Sequence, residues 1–79
     1  MDQLQKYFEQ FQKIQYTYEG EKTDWNKKHL ELSCLYDNVK MFHLQNSKNV
    51  LFYEWIYRKL KSDIWQELDR VYKLKEGLN

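Results

Sequence analysis

Trp55, Arg58, Trp65 and Tyr72, with Leu51 one turn upstream, form the side-chain set in this sequence best fitted to hold another molecule. On a helix advancing about 100° per residue they share one flank, opposite or lateral to a stripe of Ile56, Leu60 and Ile64. Tryptophan, tyrosine and arginine bury a large area while keeping a polar group that fixes orientation, which is why they concentrate at interaction hot spots. Either this flank docks on a protein, as a homodimer seam or against a different chain, or it packs on another helix of its own chain. Leu30, Cys34, Met41 and Leu44 mark a second candidate seam, interrupted by Asp37.

Bond-making chemistry finds less support. His29 and Cys34 are five residues apart and so face different sides of a helix, and His43 has no Cys, His or carboxylate three or four residues away. No metal or other cofactor is expected, and both histidines read as partly buried structural residues. Cys34, between Ser33 and Leu35, lacks the basic neighbours that would lower a thiol pKa and reads as a small core residue. Two isolated glycines cannot build a phosphate-binding loop. Arg58, Lys59, Lys61, Trp65, Arg70, Lys73 and Lys75 could grip phosphates while rings stack on bases. Glu54, Asp63, Glu67 and Asp69 interleave with them and would repel a phosphate backbone, which places a nucleic-acid-binding regulator second to a protein-binding module.

Composition sets the frame for both readings. A chain of 79 residues is expected to form one domain, 1–79, near the size at which a single core suffices only marginally, so self-association is a natural route to stability. The net charge of +1 gives no electrostatic footprint for nucleic acid. One cysteine, a polar opening and no apolar run near the roughly 20 residues that span a bilayer point to a cytoplasmic protein away from membranes. Alanine and proline are absent and lysine, asparagine and tyrosine abundant, the bias of an A/T-rich genome such as that of a low-GC bacterium or its phages.

The elements that must position these residues are helices. No proline interrupts the chain, and Gly20 and Gly77 fall where helices should stop. A first helix at about 3–18 carries Leu4, Tyr7, Phe8, Phe11, Ile14 and Tyr18 on one face, although Ile14, Tyr16 and Tyr18 also show the alternation of a short strand. Thr23 or Asp24 caps a second helix at about 24–44, with Trp25, Leu32, Leu35, Tyr36, Val39 and Phe42 on its main face. A third, at about 48–76, keeps Tyr53, Ile56, Tyr57, Leu60, Ile64, Leu68 and Val71 in one phase. Ser62 and Asp63 offer capping chemistry that could bend or break it. Acid-first pairs four residues apart, such as Asp24 with Lys28, Glu54 with Arg58 and Asp69 with Lys73, fall inside these spans.

The sequence therefore predicts an all-α, compact antiparallel three-helix arrangement joined by short turns. Its expected role is that of a non-enzymatic inhibitor or adaptor that covers a surface of another protein, as a homodimer. Its size and helicity are those of several classes of small bacterial and phage regulators, and no motif selects one.

Overall fold

Because alanine is missing, intrinsic propensity cannot hold these helices, and each must bury its apolar stripe against another. In the computed structural model, which describes residues 2–18, 20, 23–45 and 54–77, they do so as three helices: α1 (Asp2–Thr17), α2 (Trp25–Gln45) and α3 (Glu54–Gly77). The alternation at 14–18 does not make a strand: Tyr16 and Thr17 belong to α1, and the Tyr18 amide donates to the Ile14 carbonyl at 3.1 Å. Gly20 follows with φ +105°, a left-handed turn that side chains with a Cβ rarely adopt. Asp24 then caps α2, its Oδ1 accepting the Lys27 amide at 3.1 Å, while the Thr23 hydroxyl donates to the Gly20 carbonyl at 2.8 Å.

Helix α3 runs unbroken through Ser62 and Asp63. Ser62 Oγ accepts from Gln66 at 3.4 Å and Asp63 Oδ2 from Lys59 at 3.4 Å, so both side chains are engaged along the helix surface instead of capping a new one. The apolar phase that persists across this point keeps Leu60 and Ile64 buried on either side of it. The stretch expected at 48–53, which includes Leu51, lies outside the described residues.

Cross-helix pairs fix the topology. Tyr7 near the start of α1 meets Phe42 near the end of α2, with ring centroids 5.7 Å apart. His43 at the end of α2 meets Glu54 at the start of α3, and Tyr36 meets Trp65. Successive helices are therefore antiparallel, in a body of 44 × 19 × 16 Å. The buried apolar set comprises Leu4 and Tyr7 from α1, Leu32, Leu35 and Val39 from α2, and Tyr57, Leu60, Ile64, Leu68 and Val71 from α3. Full burial of each such side chain is worth about 1.5–3 kcal/mol.

Along the long axis the interior changes character. At one end the rings of Tyr7, Phe42, Tyr57 and His43 form a chain, the last two stacked 5.0 Å apart with planes 5° from parallel. Burial raises the Tyr57 phenol pKa, with a further contribution from Tyr7. Glu54 closes this end. It accepts from His43 Nε2 at 2.6 Å, so that nitrogen carries the proton, and from Arg58 Nε at 2.9 Å. The hydrogen bond from His43 and then that from Arg58 hold the Glu54 carboxyl below its ordinary 4.5 against an opposing desolvation.

The other end is ionic. Lys28, which the sequence spacing pairs with Asp24, is 2% exposed, with Nζ 3.8 Å from Glu67 and 5.6 Å from the centre of the Trp25 ring. Glu67 also accepts from Arg70 Nε at 2.6 Å and from the Gln15 amide of α1. Gln15 Oε1 is buried without a hydrogen-bond partner. Cys34 departs from expectation as well: it is exposed, because α2 turns its Leu32, Leu35 and Val39 face inward and Cys34 sits on the outer side.

Two outcomes follow from these ends. Glu67→Ala should cost about 3 kcal/mol in chemical denaturation, because it removes the carboxylate that faces a buried ammonium, and the double replacement Lys28→Met with Glu67→Met should recover most of that loss. Since the Glu54 pKa is lower in the folded state than in the unfolded one, its stabilising contribution is complete above about 4.5 and disappears as pH falls through the folded value. Glu54→Gln should therefore flatten the acid limb of the stability profile measured by circular dichroism.

Candidate functional site

The third helix displays two faces of different composition. Its inner face is aliphatic apart from Tyr57, whereas one outer flank carries Trp55 at 65% exposure, Trp65 at 60% and Tyr72 at 51%. Fully solvated indoles are uncommon because each hides a large apolar area when covered. Each of the three stays more than half exposed, although Trp65 and Tyr72 also touch rings of α2. Arg58 stands between the two indoles with its side chain 74% exposed, tethered to Glu54. Of the five residues singled out in the sequence, these four share one flank of α3, and Leu51 lies outside the described residues.

Helix α3 does not make this face alone. Tyr36 from α2 lies with its ring 5.7 Å from Trp65, and the His29 ring is 6.2 Å from Tyr72. Between the two helices runs an open groove of about 410 Å³, walled by Trp65 and Tyr72, floored by Leu68 and edged by His29, Ser33 and Asp69. The share of α2 in this face is not among the expectations drawn from the sequence. Its signal was the spacing of His29, Ser33 and Tyr36 at intervals of four and three, which places one flank of α2 beside α3.

A larger groove of about 560 Å³ separates α1 from α2, with Ile14, Thr17 and Tyr18 on one side and Leu30, Glu31 and Cys34 on the other. Tyr18 donates its hydroxyl to Glu31, and this bond, aided by desolvation and the carboxylate charges of Glu31 and Asp24, pushes the phenol up to about 12. Leu30, Met41 and Leu44 extend this groove into an exposed aliphatic stripe along α2, at 63%, 53% and 61% exposure. The second seam read from the sequence is therefore open to solvent, Cys34 included.

The cationic residues of α3 are largely committed. Arg58 pairs with Glu54, Lys59 with Asp63, Arg70 with Glu67, and Lys73 with Asp69 at 3.0 Å. Among the described residues no group of three or more His, Cys, Asp or Glu could hold a metal ion, and no helix is long and apolar enough to cross a membrane. Neither protein-family models, nor curated proteins, nor solved structures give a match to this chain.

Proposed function

We propose that this protein is a small, non-enzymatic interaction module that works by laying the aromatic flank of α3 on a protein surface, as an inhibitor or adaptor. The observation that carries this reading is the solvent exposure of Trp55, Trp65 and Tyr72 along one flank of a continuous helix. Covering rings of this size is strongly favourable, and Arg58 and Asp69 at the margin supply charges of both signs to set orientation. The mechanism is steric: a partner covered by this flank cannot offer the same surface elsewhere. Grooves this open suit a protruding side chain of a protein partner better than a small substrate, which is usually engulfed.

The nucleic-acid reading draws on the same helix and is weakened by the pairing of its cations. Arg58, Lys59, Arg70 and Lys73 each have a carboxylate neighbour that would have to be displaced or would face the phosphates.

Trp55→Ala and Trp65→Ala, made singly, separate docking from packing. Because both side chains are largely solvated, each should change unfolding stability by about 1 kcal/mol or less. Each should weaken capture of the partner from extract of the native host by about tenfold or more, read by quantitative mass spectrometry against the wild-type chain. Equal capture by wild type and both variants would discard the flank as the docking surface. Mixing with short single- and double-stranded oligonucleotides at low salt should produce no measurable binding, and affinity that falls steeply with added salt would favour the nucleic-acid reading.

A further inference from the structure

Six exposed positions of α3 succeed one another at intervals of three, four, three, four and three: Trp55, Arg58, Ser62, Trp65, Asp69 and Tyr72. This alternation of three and four, the pattern of a heptad repeat, draws one seam along a helix, the geometry by which two helices pack side by side over several turns. Here the seam also complements its own reverse. Read from the other end, it offers Tyr72 where Trp55 stood, Asp69 where Arg58 stood and Trp65 where Ser62 stood.

We propose that the occupant of this flank is a second copy of the same chain, with the two α3 helices antiparallel about a two-fold axis between Asp63 and Ile64. The proposal rests on the docking role given to this flank above and names its partner. In this register Trp55 meets Tyr72 of the partner subunit, Arg58 meets Asp69 of the partner subunit, and Ser62 makes room for Trp65 of the partner subunit. The two-fold axis repeats each contact, so four rings pair at the ends, two ion pairs form, and a large side chain faces a small one twice at the centre.

Competing arrangements are poorer. A parallel pairing sets Arg58 on Arg58 of the partner subunit and Asp69 on Asp69 of the partner subunit, both like-charged. Sliding the antiparallel pair by seven residues toward the C-termini leaves Trp55 uncovered and sets Asp69 against Trp65 of the partner subunit. Sliding it seven the other way leaves Tyr72 uncovered. One register therefore satisfies all six positions.

The available area is adequate. From Trp55 to Tyr72 the seam takes 17 helical rises, about 26 Å at 1.5 Å per residue. Six largely exposed rings at 150–250 Å² apiece offer on the order of 700 Å² between them, before the residues beside them are counted. With those included, the contact approaches the lower end of stable interfaces, about 1,200 Å² in total. The existing links of Arg58 to Glu54 and of Asp69 to Lys73 are exposed and therefore weak, so sharing or exchanging them costs little.

Charge reversal tests the register directly by sedimentation equilibrium. The wild-type mass should climb from 10.0 kDa toward twice that value across a concentration series. Arg58→Asp alone and Asp69→Arg alone should each weaken self-association by about tenfold or more, since either places like charges at both crossings. An equimolar mixture of the two variants should recover the dimer, because every crossing then joins opposite charges, and the double variant should recover it as well. Unchanged helicity of each variant by circular dichroism establishes that the fold is intact, as expected for exposed sites.

A wild-type chain that stays at 10.0 kDa throughout overturns the proposal. Single variants that associate like wild type, or a mixture that does not, also overturn it. The docking reading is judged separately: host-protein capture that is lost in Trp65→Ala would keep it even if the wild type is monomeric. If neither self-association nor capture responds to Trp55 or Trp65, both proposals fall together.

Discussion

The packing of three helices around one ionic end depends on Glu67. Its carboxylate takes a hydrogen bond from Gln15 of α1, lies 3.8 Å from the Lys28 ammonium of α2 and binds Arg70 one turn along α3. Carboxylates and ammonium groups so far from water are costly unless each is satisfied by a neighbour, so this arrangement tolerates few alternatives. Rotating α2 or α3 out of phase would part the Lys28 ammonium from Glu67, and rotating α1 would remove the Gln15 hydrogen bond. Apolar stripes can slide past one another at modest expense, and a shared carboxylate cannot. This supports a structural role for a polar residue at a position that an aliphatic side chain could fill.

The rings are divided between two tasks. Tyr7, Phe42, Tyr57 and His43 line up within one end, where edge-on and stacked contacts fill space that aliphatic chains would leave uneven. Trp55, Trp65 and Tyr72 remain outside because Tyr57, Leu60, Ile64, Leu68 and Val71 already occupy the inward side of α3. A body only 16–19 Å across has no second interior in which to place them. The surplus is thus a geometric consequence of helix phase and the narrow body, and the same phase aligns the surplus rings along one flank.

Much of the fold was legible in the sequence, and the reasons differ from element to element. The stripes of α1 and α3 were readable because a 3.6-residue period survives any detail of packing. Leu4 and Tyr7, and Leu60 with Ile64 and Val71, are buried where that period puts them. The unbroken course of α3 was legible for the same reason, since the apolar phase outweighed the capping chemistry of Ser62 and Asp63. Lys28 was not legible: spacing alone offers it Asp24, and only the approach of α3 brings Glu67 within reach. The place of Cys34 was not legible because residue type alone does not fix an inward position: Leu32, Leu35 and Val39 set the phase of α2 and leave residue 34 outside. The flank of α3 was visible from residue types and angles, whereas the groove beside it required knowing which side of α2 lies next to α3.

The uneven contribution of the helices to the interior has a kinetic consequence. Among the described residues α1 contributes only Leu4 and Tyr7 to the buried apolar set, and α2 and α3 pack together more extensively than α1 and α2 do. The free energy needed to detach α1 is accordingly smaller than that needed to part the α2–α3 hairpin. Amide protons of α1 would exchange with solvent through a partial opening that leaves the hairpin closed, making the N-terminal segment the first point of attack for a protease and the hairpin the last unit to surrender its protection.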